Sequence, residues 1–273
     1  IMPMYIQNTN KYYPDVEELA EDIANGYKKV IRDLYDAGCR NLQLDDCSWG
    51  MCVDPHAAAI FGTDEAGLQK IMEQLYQFME LEHLYESAIR EVKTKLEILD
   101  SEFKTKYDHN PIHHLEDRVK SPQSILEKLN RKGIPFSCEN AKKELNDIAG
   151  VRVVCNYIDD IYTVAYMLTA QDDVKLIRRK DYIQNPKPNG YRSLHLVIET
   201  PVYLSETKEL VHVEVQIRTI AMNFWATLEH DLKYKTDSVV SADLAAKLKD
   251  CAETIAATDQ QMQDIYKALH DID

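Results

Sequence analysis

Two segments near the middle of this 273-residue chain, LHLVIET (194–200) and VHVEVQIRT (211–219), alternate apolar and polar side chains. Successive side chains of a strand point to opposite faces, so a period of two predicts strands with one face buried and the other polar. The polar face would carry His195, His212, Glu214 and Gln216 or their neighbours. Strands are expected over 193–200 and 211–217, with further ones over 151–155 (VRVVC, a buried run) and 174–178. On either side the period changes to that of helices. Residues 63–106 contain no proline and only Gly67 as an interior breaker, and Leu68, Ile71, Met72, Leu75, Phe78, Met79, Leu81 and Leu84 recur at steps of three and four. Asp108 to Pro111 stops that helix, and Ser121-Pro122, an N-cap followed by a first-turn proline, starts another that ends at Lys132-Gly133. Helices are expected again over 158–168, 221–232 and 242–269. The fold class is therefore α+β: a mixed β-sheet core flanked by helices, with long helical arms at both ends.

Residues 1–62 read as a separate piece. A helical pattern, a glycine stop at Gly38 and a short strand over 41–44 make one αβ unit, followed by a loop from Asp45-Asp46 through CSWGMCVDP. The domain boundary is placed there, with 63–273 as the second domain. The first residue is Ile1, so the expectation is a start that is incomplete or that lacks a tag or upstream segment.

Charge narrows the function. The chain carries a formal charge of -14 with a pI near 5.1, which argues against a broadly basic face for duplex DNA. No apolar run approaches the ~20 residues that span a bilayer. Six cysteines without a CxxC pair or zinc spacing suit a reducing cytoplasm. Against this acidic background, Lys175, Arg178, Arg179, Lys180, Lys187 and Arg192 stand with a single acid, Asp181. That positive strip runs into Asn189-Gly190-Tyr191, a tight turn followed by an aromatic. It suits a phosphorylated ligand with a flat base, or else it is a solvated basic loop.

Four patterns carry candidate chemistry: Asp147 to Arg152 (DIAGVR), Asn189 to His195 (NGYRSLH), Glu214 to Thr219 (EVQIRT), and the cluster Arg118, Lys120 and Ser121. Two carboxylates at different strand ends beside a basic loop are what Mg²⁺-assisted phosphoryl chemistry requires, because Mg²⁺ takes one or two carboxylates plus phosphate oxygens. The duller alternatives are that Asp147 caps a turn, that Glu214 pairs with Arg218 along its strand, that Tyr191 sits at the edge of the core and that His195 is structural. In the loop, Tyr191 is taken as the flat partner for a base. Phe224, Trp225 and Leu228 read as core of the helix that follows, and Met72 and Met79 as core or interface.

DIAGVRVV, NPKPNGYRSLHLVI and VEVQIRTIAMNFWATLEHDLKYK closely resemble the RelA/SpoT synthetase domain, over residues 68–269, and the length is similar to that of a stand-alone small alarmone synthetase. The resemblance implies a nucleotidyltransferase-like core that moves the β,γ-pyrophosphate of ATP to the ribose 3′-OH of GDP or GTP, giving ppGpp or pppGpp and AMP in the stringent response. It implies Mg²⁺ at Asp147 and Glu214, with Glu214 also taking the 3′-OH proton. It places Tyr191 against guanine, with His195 and Lys187 near the guanosine and Gln216 and Asn223 on the acceptor side. Arg118 and Arg152 would sandwich adenine, and Arg179, Lys180 and Arg192 would hold ATP phosphates or order the loop that does. Family members commonly form homotetramers, and some bind an alarmone in a central cleft; single-stranded RNA is a further partner to consider. The His-Asp pair of the family's hydrolase domain has no good match, since His113-His114 lacks the aspartate and His230-Asp231 and His270-Asp271 fall in or after the synthetase region. Synthesis without hydrolysis is expected.

Residues 1–62 resemble a piece of a cobalamin-independent methionine synthase-like (β/α)8 barrel, one αβ unit of eight, which cannot close a barrel. Cys47, Cys52 and His56 do not make that family's zinc set, so a non-functional appendage is expected. The rivals to the synthetase are a catalytically silent guanine-nucleotide or single-stranded-RNA binding regulator, and a zinc-dependent methyl-transfer protein.

Overall fold

The polar face foreseen in the strands becomes one side of a five-stranded mixed sheet. The computed structural model describes residues 16–37, 65–234 and 242–270. The strand expected over 41–44 and the loop with Cys47, Cys52 and His56 lie outside them. The chain falls into two compact units, residues 1–78 and 79–273.

The first unit contains helix α1 (Val16–Asp36), whose Val30, Ile31, Leu34 and Tyr35 are exposed, and the start of α2 (Glu65–Lys106). The second begins with the rest of α2 and continues β1 (Ile112–Val119), α3 (Pro122–Arg131), α4 (Cys138–Glu144), β2 (Ala149–Cys155), α5 (Ile158–Thr169), β3 (Lys175–Asp181), β4 (Leu194–Tyr203), β5 (Lys208–Thr219), α6 (Ile220–Tyr234) and α7 (Ala242–Leu269). Strand order is β1-β2-β5-β4-β3. The β2–β5 pair is parallel and the other three are antiparallel.

Alternation sorts the core as expected. Val211, Val213, Val215 and Ile217 of β5 are buried, while His212, Glu214 and Gln216 between them are not. Helices α5 and α6 pack on β2 and β5, and α7 packs on α5 and α6. Leu81, Leu84, Ala88, Ile89, Val92 and Leu96 of α2 are buried, so the second half of that arm is core. Ser121 caps α3 by accepting a hydrogen bond from the Ser124 amide, with Pro122 in the first turn.

Three features depart from the expectation. Strand β1 was unforeseen because IHHLEDRV lies at the sheet edge, is partly wet on both faces and shows no apolar alternation. Helix α4 is too short to show a period. On α6 Trp225 is core, whereas Phe224 and Leu228 are 59% and 47% exposed, and Phe224 lines an open groove that Ile255 and Met262 of α7 also line.

Candidate active site

Pairing across the sheet lines up two rows of side chains on its polar face. Glu116 (β1) faces Arg152 (β2), Arg152 faces Gln216 (β5), Gln216 faces His195 (β4), and His195 faces Lys180 (β3). One step along, Arg118, Gly150, Glu214, Val197 and Arg178 form the second row. Asp147 stands on the loop just ahead of β2, beside the second row. Asp147 and Glu214 both line two adjoining cavities. One, of about 200 Å³, also has Arg118, Arg152 and Gln216 in its wall. The other, of about 360 Å³, is walled by Lys128, Arg178, Lys180, Tyr182, Lys187 and His195. Two carboxylates thus divide two basic chambers.

Asp147 is not a turn cap. Its Oδ2 accepts from Lys128 Nζ at 2.5 Å and lies 3.0 Å from Lys120 Nζ, while its buried Oδ1 has no partner. Burial works against its charge, but the hydrogen bonds and charges of the two lysines outweigh burial and hold the carboxyl below the usual range. Glu214 is not paired with Arg218 either. His195 Nδ1 lies 3.3 Å from its Oε1, and Gln216 Nε2 donates to its Oε2 at 2.9 Å. Burial again raises its pKa, the bonds from His195 and Gln216 more than offset that, and the charge of Asp147 pushes back upward. Both acids are therefore ionised at neutral pH. An unpartnered, buried carboxylate oxygen beside a second carboxylate fits a hard divalent cation that completes its shell with phosphate oxygens and water. Among the described residues no group of three or more His, Cys, Asp or Glu side chains forms a closed metal site.

The turn before β4 is built around Gly190, at φ +87°, with the Gly190 amide donating to the Lys187 carbonyl at 2.8 Å. A side chain there would meet the Ala252 Cβ of α7 at 2.5 Å. The turn presents Tyr191, half-buried, with the Lys187 ammonium 4.5 Å from its ring centroid. Lys187 is also 4.7 Å from the ring of Tyr182, which makes edge contacts with Tyr191 and His195. Tyr191 is thus not the loop's one aromatic at the site: Tyr182, inside the basic strip, lines the larger chamber, whereas Tyr191 lines a third cavity, of about 280 Å³, with Arg118, Arg152 and Gln216.

The remaining expected residues divide. Lys180, Lys187 and His195 share one chamber, Arg118, Arg152 and Gln216 the other. Lys180 thus stands apart from the arginines with which it was expected to hold ATP, and Gln216 apart from the residues expected around the acceptor, because strand order sets β3 and β1 at opposite edges of the sheet. Arg152 Nη1 donates to Glu116 Oε2 at 2.7 Å. Arg179 is placed elsewhere. Strand parity sets it opposite Leu196 on the other face, where it meets Asp181 at 3.2 Å and lies over Tyr162. Arg178 occupies the position expected of it. Arg192 points to α7, donating to the carbonyls of Gly190 and Ala252, so it orders the loop. Asn223 accepts from Arg218 at 3.4 Å, behind Tyr191. Lys128, Arg178 and Tyr182 were missed. The i+4 spacing of Ser124 and Lys128 on α3, beside the noted cluster at Arg118, was the available signal for Lys128, and period-two parity was the one for Arg178.

A family model described as a region found in RelA/SpoT proteins matches residues 117–239. The chain is 47% identical over 186 residues to GTP pyrophosphokinase YwaC of Bacillus subtilis, covering 68% of this chain and 89% of that protein. It is 40% identical over 181 residues to GTP pyrophosphokinase YjbM of the same organism, covering 66% and 84%. Its fold is similar to that of small alarmone synthetase 1 from Bacillus subtilis bound to its product pppGpp, with a TM-score of 0.66, 38% identity, and coverage of 70% and 97%. For small alarmone synthetase 2 from that organism the values are 0.63, 46%, 69% and 97%. The matched family region excludes residues 1–62, and these comparisons lend their likeness to a methionine synthase-like barrel no support.

Proposed function

This chain belongs to the RelA/SpoT family, and we propose from that premise that it is a GTP pyrophosphokinase: it transfers pyrophosphate from ATP to GDP or GTP, producing ppGpp or pppGpp. The observation that carries the assignment of residues is the shared wall: Asp147 and Glu214 stand between two basic chambers, each of which suits one nucleotide.

In this reading ATP occupies the chamber of Arg118 and Arg152, whose guanidinium planes suit the adenine ring. The guanosine nucleotide occupies the other, with Tyr182 in its wall and Tyr191 at its edge, against Lys187 and His195, as flat partners, and Lys180, Lys187 and Arg178 near its phosphates. Asp147, through Oδ1, and Glu214 would hold Mg²⁺, which when bound neutralises charge on the transferred group. Glu214 accepts the proton of the ribose 3′-OH. The 3′-oxygen attacks the β-phosphorus of ATP, the bond from that phosphorus to the α,β-bridging oxygen breaks, and AMP leaves. Lys128 and Lys120 steady Asp147 throughout.

Residues 1–62 take no part in this chemistry. Exposed Phe224, Leu228, Met262 and Ile265 support the homotetramer implied by the resemblance, which sedimentation of the purified chain would test. No helix among the described residues is long and apolar enough to cross a membrane.

The test is incubation with labelled ATP, GDP or GTP and Mg²⁺, with products separated by chromatography. AMP appearing together with a tetra- or pentaphosphate of guanosine supports the reading; no such product with nucleotides still bound leaves a silent binding protein. Glu214→Gln is expected to lower kcat by about 100-fold or more while nucleotide affinity stays within a few-fold.

A further inference from the structure

Arg218 is 5% exposed and, among the described residues, pairs with no carboxylate. A buried guanidinium without a counter-charge is costly, and burial indeed pushes its pKa down. Its partners are all neutral: Ser193 Oγ at 3.4 Å, Asn223 Oδ1 at 3.4 Å, Tyr191 OH at 2.6 Å and Gln216 Oε1 at 2.9 Å.

The last two bonds come from one nitrogen, Nη2, and arginine can only donate. Glu214, once ionised, can only accept, so the directions between are fixed from both ends. Tyr191 oxygen accepts from Arg218, and its own proton goes to His195 Nε2, 2.7 Å away, because a neutral His195 that donates from Nδ1 to Glu214 has only an acceptor left at Nε2. With Nε2 accepting, the ring proton of His195 sits on Nδ1, which donates to Glu214 Oε1. In parallel, Gln216 must turn its amide oxygen to Arg218, and its nitrogen then donates to Glu214 Oε2. Two chains leave one donor and end on the two oxygens of one carboxylate.

We propose that Arg218 is a positioning residue that orients Glu214 for proton acceptance, acting through Tyr191–His195 on one oxygen and through Gln216 on the other. This rests on the role given to Glu214 above. The aromatic ring of Tyr191 serves the base while its hydroxyl serves the carboxylate, so one residue couples occupancy of the guanosine chamber to the geometry of the acid.

Two measurements test this. In the first, the histidine tautomer is read from ¹⁵N spectra of ¹⁵N-histidine-labelled protein at mildly alkaline pH, with His195 assigned by loss of its signals in His195→Gln. The wild type is expected as a single Nδ1–H tautomer, and Arg218→Met as a mixture or the Nε2–H form. An Nε2–H wild type, or an unchanged tautomer in Arg218→Met, overturns the proposal. Arg218→Gln, whose amide can also accept from Tyr191, gives the same reading should the Met variant not fold. This arm needs no turnover, so a chain that makes no alarmone would sink the enzyme reading and leave the tautomer to decide the role of Arg218.

The second is kinetic. Tyr191→Phe breaks one chain and keeps the ring; Gln216→Leu breaks the other. Arg218→Met is expected to lose about as much kcat as these two substitutions combined, and adding it to that double variant should cost less than about twofold more. The KM for ATP should stay within about twofold in Arg218→Met and in Tyr191→Phe. Losses that multiply independently, or an ATP KM that rises with the fall in kcat, would show that Arg218 acts by another route.

Discussion

At Gly190 a single missing methyl group decides how closely a helix can approach the nucleotide turn. The positive φ disfavours any side chain, and a Cβ would strike the Ala252 Cβ, which has no rotamer to yield. Gly190→Ala is expected to cost roughly 2–4 kcal/mol, seen as a lower Tm, and to raise the KM for GDP more than that for ATP, because the displaced turn carries Lys187 and Tyr191. The same scale shows why sequence reading partly failed in the basic strip. Charge alone does not say which of Arg178 and Arg179 faces the site; strand parity does, and a register shift between Leu176 and Arg178 obscures that parity in the sequence. Tyr182 lies between charged residues and away from the Asn-Gly turn, so no local pattern marks it as a neighbour of Tyr191.

At the scale of elements, α7 is held to the rest of its unit by polar bonds as much as by apolar contact. Trp225 Nε1 donates to the Leu248 carbonyl at 3.0 Å, Gln263 accepts from the Asp159 amide at 3.0 Å, and Thr219 Oγ1 donates to Asp259 at 2.6 Å. Asp259 is buried, and burial raises its pKa above the unfolded value despite the Thr219 bond. Its charged form therefore opposes folding at neutral pH, and that opposition disappears as pH falls below the unfolded carboxylate value of about 4. Asp259→Asn keeps an acceptor for Thr219 and loses the charge. Its Tm is expected to exceed that of the wild type at neutral pH, with the gap closing on acidification; a gap that does not change with pH would argue against this origin. Elements with a strong period were legible before the structure: α2, α5, α7, β4 and β5 all fall within a few residues of expectation. Strand β1 was not, because its residues answer to the site rather than to a core: Glu116 meets Arg152, and Arg118 lines a chamber. The two acids of the shared wall were legible as motif positions, whereas their contacts with Lys128 Nζ and His195 Nδ1 are set by tertiary packing that the sequence signals do not specify.

Across the whole molecule, a chain with a formal charge of -14 keeps a cationic strip for polyphosphates. Nucleotides must pass a repulsive field and are captured by a short-range attractive one. Raising ionic strength from about 0.1 M to about 1 M shortens screening from about 10 Å to about 3 Å, and KM for both nucleotides is expected to rise about fivefold with kcat changed less than twofold. A version lacking residues 1–62 is expected to keep its turnover within about twofold in the same assay, since every residue assigned to the chemistry lies between Arg118 and Asn223.

The contact between α7 and the nucleotide turn also has a consequence in time. A ribosome delivers the sheet, its two acids and the turn at Gly190 well before it delivers Ala252. Until then Arg192 has no Ala252 carbonyl to hold, and Trp225 no Leu248 carbonyl. A nascent chain can therefore own every side chain proposed for catalysis and still lack the brace that sets the turn, so competence to make a signalling nucleotide is expected to arrive with the release of a late helix and not with those side chains themselves.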